Sequence, residues 1–423
     1  MRRDLRFFDI ICLGINGIVG SGIFLYPDDL ARLLGGASPL AFALAAGAAA
    51  VIALCLAELS SRFDRTGGPM VYAWEGVGPW AGFAVGWLNF LAFVATWAAV
   101  ARGVGHYTAQ LLPWTGTASG EATLAIGIIA AFTALNYVGI RPAAWVLDAF
   151  TVGKLLPLAL LAMMGLASTD WDQLTWKTAS TEEWGRAWFL CMFAMSGYEN
   201  VGLPAGETTD ARRAVPIGIL GAVGSAALIY ITVQIAVVGV LPDLADSKAP
   251  LAEAAAALFG PAGAVLLSVG AVVSMVGFTC GSALLTPRAL VALAEHRDLP
   301  VGLAASHPRY GSPHRAILLS GGIAITLAAV LGFGALADFG LVATFMSYAL
   351  SCAGLLRLRR RPDLPPPRFR IPAAPVMVTV AVGISLLLAT QAGWTDVAWA
   401  VGLLAAGFGL RYRIRAAQRP SND

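Results

Sequence analysis

Long apolar stretches, separated by shorter polar connections, make up most of this 423-residue chain. Twelve of them reach about 18 residues, the length that carries an α-helix across a bilayer. The pattern predicts an all-α membrane protein with about twelve transmembrane helices, at 8–33, 38–61, 80–111, 121–139, 142–166, 187–210, 215–241, 262–294, 314–331, 335–357, 372–390 and 395–413.

The first apolar stretch is unusually rich in glycine. Gly14, Gly17, Gly20 and Gly22 fall within nine positions, and each glycine inside a helix costs about 0.5–1 kcal/mol relative to alanine. Within hydrocarbon, a loosened backbone persists only where protein or a water-filled cavity satisfies its polar groups. We therefore expect a break at Gly20-Ser21-Gly22, with Ser21 capping the second half-helix and bare N–H groups forming an anion site.

The sixth stretch carries a second helix-start signal in mid-membrane. Ser196-Gly197-Tyr198-Glu199 has the S-x-x-E form of a capping box, in which serine and glutamate side chains satisfy each other's backbone amides. A glycine-rich packing interface explains either break alone about equally well. Breaks at corresponding positions of two halves, five spans apart, favour instead a transporter with its substrate site between them.

This repeat divides the chain into three predicted parts. Residues 1–166 form the first repeat with helices one to five, and residues 167–358 form the second with helices six to ten. Residues 359–423 add two helices and the C-terminus. Because the offset of five spans is odd, the two repeats are expected to be inverted in the membrane.

Composition agrees with a polytopic membrane protein and disfavours nucleic acid or a metal ion as a binding partner. Hydrophobic residues make up 58% of the chain, charged residues only 13%, and the mean hydropathy is +0.73, whereas soluble domains carry about 25% charged residues. The net charge of +3 disfavours nucleic acid as a partner. The five cysteines lie in apolar stretches without a CxxC pair, so no metal site or disulfide framework is predicted.

Basic residues set the expected orientation. With the N-terminus inside, inner segments hold 22 of the 28 lysines and arginines and outer loops hold only three, as the positive-inside rule requires. An even number of spans returns the C-terminus to the same side. We expect a multi-pass protein of the inner or plasma membrane with both termini cytoplasmic.

Four motifs together resemble the amino acid-polyamine-organocation transporters. Gly17–Phe24 resembles the signature of their first helix, and Glu58–Phe63 resembles the start of their second-to-third-helix loop. Phe193–Glu199 resembles the break in their sixth helix, and Pro287-Arg288 with Ala294–Pro300 resembles the end of their eighth. The resemblance covers the first ten helices and is weak in the last two.

The resemblance implies that a free amino acid binds between the two breaks. Its carboxylate is expected at Ser21 and the Gly22 amide, and its ammonium group at the carbonyls of Ile18, Phe193 and Ser196. A zwitterion would then be matched by half-helix dipoles without a buried full charge. The resemblance also makes Phe193 an aromatic gate over the substrate, and the backbone at Gly20 and Gly197 completes the predicted site.

The side-chain pocket is predicted from span eight. Gly281, Ser282 and Ala283 are small where some relatives place a bulky aromatic residue, so Ser282 is expected to line a roomy pocket for neutral side chains. No acidic residue is obviously placed to pair a cationic substrate. Export or antiport of cationic amino acids or polyamines is the alternative.

Two ionisable residues within spans are candidates for energy coupling, because intramembrane charge is costly and usually functional. The resemblance places Lys154 beside the first-helix break, where sodium-coupled relatives hold a cation; snorkelling to the inner surface is the alternative. Glu199 is a helix cap or a proton-sensitive group. Transport is therefore expected to be sodium-independent, either proton-coupled or by exchange. Arg102 and His106 lie near the outer end of span three. They are expected to face an aqueous vestibule, and a snorkelling arginine side chain is the alternative for Arg102.

Other function classes lack their signatures in this sequence. There is no HExxH, GxSxG or GxxxxGK[ST] motif, so an enzyme, a cofactor, a metal site and a built-in ATP motor are not predicted. Pore-lining rings of charge, which would indicate an ion channel, are not evident. A transporter-like amino-acid sensor remains an alternative, and the oligomeric state, a homodimer included, is left open.

Overall fold

The computed structural model describes residues 5–109, 112–138 and 141–418, and their side chains except at 141–148. Within these ranges the chain is helical, with two isolated β-bridges and no strand. The α-helices are α1 Phe7–Ile18, α2 Gly22–Leu25, α3 Pro27–Leu34, α4 Ser38–Ser60, α5 Pro69–Gly76, α6 Pro79–Thr108, α7 Ala118–Val138, α8 Arg141–Ala167, α9 Thr181–Met195, α10 Ala211–Val240, α11 Pro250–Phe259, α12 Pro261–Glu295, α13 His314–Val330, α14 Phe333–Ala353, α15 Leu355–Leu358, α16 Ala374–Ala389 and α17 Trp394–Ala417.

The predicted all-α class is confirmed over the described residues. Nine helical segments there are long and apolar enough to cross a membrane, and the first of them ends at Leu25. Two further predicted spans coincide with α13 and α16, which have 17 and 16 residues, and the sixth is interrupted after α9. The protein is a multi-pass membrane protein; twelve spans and an inverted repeat stay predictions.

The first helix breaks where the glycines predict it. The segment α1 ends at Ile18 and α2 begins at Gly22. Glycine is needed at position 22 because a Cβ there would lie 2.6 Å from the Ala194 Cβ. The prediction that the Ser21 side chain caps α2 is wrong, since Ser21 occupies the N-cap position but its hydroxyl makes no capping bond.

The second break follows α9 and depends on Gly197. This residue has φ +111°, and a Cβ on it would lie 2.1 Å from the Gly17 carbonyl oxygen, so only glycine fits. The predicted capping box does not form. Instead, the Ser196 hydroxyl donates to the Phe193 carbonyl oxygen at 2.8 Å, and Glu199 accepts from the Gly197 amide at 3.0 Å.

Close helix contacts and buried ion pairs hold the bundle at its predicted inner end. At Gly76, a Cβ would lie 2.7 Å from the Gly354 Cα, a separation that only small residues allow. The fully buried Glu58 accepts from Arg359 and from the backbone amide of Ile371. Glu58 therefore fastens the linker before α16 to α4.

Candidate functional site

A central cavity lies where the two helix breaks meet. It is bounded by the break after α1, by the end of α9, and by parts of α6, α12 and α14. The structure brings all eight predicted substrate-site residues to its lining, together with Glu199: Ile18, Gly20, Ser21, Gly22, Phe193, Ser196, Gly197 and Ser282.

Three buried polar atoms on the lining have no hydrogen-bond partner among the described residues. They are the Ser21 hydroxyl, the Asn200 side-chain carbonyl oxygen and the Thr286 hydroxyl, and these residues are 1%, 8% and 0% exposed. An unsatisfied buried polar group costs about 1–3 kcal/mol, so native structures seldom leave several together without a ligand or water to bind.

The start of α2 adds backbone donors beside Ser21. The Phe24 and Leu25 amides both donate to the Ser21 carbonyl oxygen, so the helix leaves the amides of Gly22 and Ile23 without an intrahelical acceptor. The Ser21 hydroxyl and the Gly22 amide thus belong to residues of the cavity lining, and the Ile23 amide follows directly along the chain. This arrangement suits an anion.

The carbonyls expected to bind the ammonium group, at the ends of α1 and α9, accept more hydrogen bonds within the protein than the resemblance implies. The Ile18 oxygen accepts from the Gly20 amide at 2.8 Å and from the Tyr230 hydroxyl at 3.0 Å. Likewise, the Phe193 oxygen accepts both the amide and the hydroxyl of Ser196. A carbonyl oxygen has two lone pairs, so neither is well placed to receive an ammonium group in this conformation.

Lys154 lies against the first-helix break and is fully buried, so it does not snorkel. Its Nζ donates to the Asn16 side-chain oxygen at 2.7 Å, to the Asn16 carbonyl at 3.3 Å and to the Val19 carbonyl. The ammonium group thus clamps the C-terminal end of α1, where the helix dipole favours a cation. Lys154 is outside the lining of the central cavity.

Glu199 supports the second break from within the bundle. It is 4% exposed, and one carboxylate oxygen accepts both the Gly197 amide and the Tyr348 hydroxyl. Tyr348 lies on α14, so this contact joins the break to a neighbouring helix. The geometry combines a helix-supporting role with a buried carboxyl group on the lining of the cavity.

Three aromatic rings close one end of the central cavity. Phe193 packs edge-on against Tyr26 at 5.6 Å and against Phe333 at 6.0 Å between ring centroids. Tyr26 and Phe333 also line a second cavity on the far side of the rings. Phe193 therefore occupies the position expected of a gate.

Comparison with known proteins identifies the family. The pattern that defines the family described as "Amino acid permease" matches residues 5–401. The chain belongs to this family. An uncharacterized transporter of Mycobacterium tuberculosis is 31% identical over 431 residues, covering 100% of this permease and 95% of that protein.

Two relatives from Bacillus subtilis carry functional names. The serine/threonine exchanger SteT is 27% identical over 410 residues, covering 94% of the permease and 92% of SteT. The branched-chain amino acid permease BcaP is 28% identical over 422 residues, covering 94% of the permease and 90% of BcaP. Family and relatives make this chain an amino acid transporter rather than an enzyme, and they agree with the resemblance noted in its sequence.

Proposed function

We propose that the permease is a secondary active carrier that moves neutral L-amino acids by alternating access without sodium. The observation that carries this proposal is the set of three unpartnered polar atoms, on Ser21, Asn200 and Thr286, in the cavity between the two breaks. A ligand with charges of both signs and hydrogen-bonding capacity would satisfy them. A free amino acid has this chemistry.

The proposed pose follows from the donors and acceptors that remain available. The carboxylate binds the amides of Gly22 and Ile23 and the Ser21 hydroxyl, because these are donors at a half-helix N-terminus. The ammonium group binds the Asn200 side-chain oxygen and the Ser196 carbonyl, since the Ile18 and Phe193 carbonyls already accept two bonds each. Phe193 shields the bound molecule from the second cavity.

The lining supports a neutral side chain on the substrate. Glu199 is the acidic residue of this lining, and its carboxylate is already engaged by the Gly197 amide and Tyr348. A cationic side chain would therefore lack a free counter-charge. Gly281 and Ser282 are small residues that line the α12 side of the cavity together with Phe278.

Lys154 supports sodium independence because its ammonium group already supplies a positive charge to the Val19 carbonyl. Two coupling modes follow. If Lys154 loses and regains its proton during the cycle, transport is proton-coupled; if it stays charged, the permease exchanges one amino acid for another. The repeats at 1–166 and 167–358, with both termini cytoplasmic, complete the proposal.

Counterflow in proteoliposomes tests the function. Vesicles loaded with unlabelled amino acid should accumulate labelled amino acid from outside without sodium. One control uses loaded vesicles without protein. The other uses vesicles containing Ser282→Trp, in which a large ring fills the central cavity. Binding of amino acid without any flux would show a sensor and overturn the carrier.

A further inference from the structure

A second cavity of about 480 Å³ lies beyond the aromatic rings, at the end of the bundle that the basic residues assign to the outside. It is walled by α3, by the end of α6, by the start of α7 and by the segment leading into α11. Charges of both signs line it: Asp28, Asp29, Arg32, Arg102, Glu121, Asp246 and Lys248. Cavities of about 300–1,000 Å³ hold small organic ligands, so an amino acid fits.

The two cavities lie in series. Tyr26 and Phe333 line the outer cavity and contact Phe193, which lines the central one. A molecule that approaches the central site from this end must first occupy the outer cavity, because the three rings separate them.

Arg102 supplies the anion-binding side of the outer cavity. It is only 8% exposed. Its Nη1 donates to the Ala118 carbonyl at 2.9 Å and to the Ala328 carbonyl at 3.5 Å, Nη2 lies 3.4 Å from a Glu121 carboxylate oxygen, and Nε is buried with no acceptor among the described residues. A guanidinium has five N–H donors, so donors remain for a planar carboxylate.

Asp28 supplies the opposite charge. Arg32 donates to Asp29 at 2.8 Å but lies 3.5 Å from Asp28, so this guanidinium is engaged chiefly by Asp29. Burial and the neighbouring Asp29 raise the pKa of Asp28 to about 6. Asp28 lines the outer cavity, where its carboxylate can meet an ammonium group.

We propose that the outer cavity binds a second molecule of amino acid, with its α-carboxylate on Arg102 and its ammonium group on Asp28, before the rings admit it to the central site. This inference rests on the proposed amino-acid substrate. It makes the outer cavity a waiting site that recognises the backbone of the amino acid, the part common to all such substrates.

Equilibrium dialysis of the purified full-length protein with labelled L-serine and L-leucine counts the sites. We expect two bound molecules per chain, one in Arg102→Gln, one in Ser282→Trp and none in the double variant. Asp28→Asn should also remove the outer site, which guards against a folding defect of Arg102→Gln. The control Asp172→Asn removes an exposed charge that is not part of the cavity lining and should leave both sites.

The outcomes separate the two proposals. Two molecules in Arg102→Gln and in Asp28→Asn, or a single wild-type site lost in Ser282→Trp alone, would overturn the outer site and leave the proposed central site standing. Loss of a site in Arg102→Gln with none lost in Ser282→Trp would retain the outer site and count against the central one.

Discussion

Removing the Ser21 hydroxyl should weaken substrate binding without destabilising the protein. The hydroxyl is buried and unpartnered on the central cavity, so Ser21→Ala deletes no bond within the ligand-free chain. A hydrogen bond to a charged group contributes about 1.5–3 kcal/mol. Since about 1.4 kcal/mol is a factor of ten in affinity, Kd for the amino acid should rise by about tenfold to a hundredfold.

The assay pairs equilibrium binding with the thermal midpoint of the ligand-free protein. Binding should fall by the stated factor while the midpoint stays unchanged or rises. Ser320→Ala is a matched control, because Ser320 also has a buried, unpartnered hydroxyl but lies on α13, away from this cavity. It should leave Kd unchanged. An equal Kd in wild-type and Ser21→Ala protein, or a loss of binding that follows a lower midpoint, would refute the reasoning.

Three further predictions follow from other contacts. Phe193→Ala should impair transport more than equilibrium binding, because the ring closes on Tyr26 and Phe333; equal losses would make Phe193 part of the pocket only. Proton coupling predicts that an inward proton gradient stimulates uptake by the wild-type protein but not by Lys154→Ala. Exchange predicts instead that uptake needs amino acid inside the vesicle. A sodium requirement would exclude both modes. Glu58→Gln should lower stability by about 3–5 kcal/mol, since it breaks a buried ion pair with Arg359; an unchanged thermal midpoint would contradict this.

The sequence located the first helix break because its cause is local, whereas it located the second through a capping box that does not form. Gly14 and Gly17 weaken α1, and Gly20 and Gly22 lie at the break itself. The second break depends instead on Gly197, which allows the left-handed turn after α9. The capping bonds could not be predicted in the same way. Ser196 donates to the Phe193 carbonyl and Glu199 accepts from the Gly197 amide, instead of bonding to each other's backbone. The turn at Gly197 packs against Gly17 of another helix, so its geometry depends on a distant part of the chain.

The partners of the candidate site come from distant parts of the chain and carry no local signal. Tyr230 occupies the Ile18 carbonyl across 212 positions, and Thr286 reaches the cavity from α12. Asn200 lies next to a recognised motif and could have been suspected from its unusual place in an apolar stretch. Whether its oxygen is satisfied could be decided only once the neighbouring helices were packed around it.

The second half-helix is proposed to hold the carboxylate of an amino acid. Competition binding measures this directly, with the labelled amino acid displaced either by its unlabelled form or by the amine that remains when the carboxylate is removed. The amine should compete poorly, because the Ser21 hydroxyl and the Gly22 and Ile23 amides would face no anion. An amine that displaces the label as well as the parent amino acid would contradict the account.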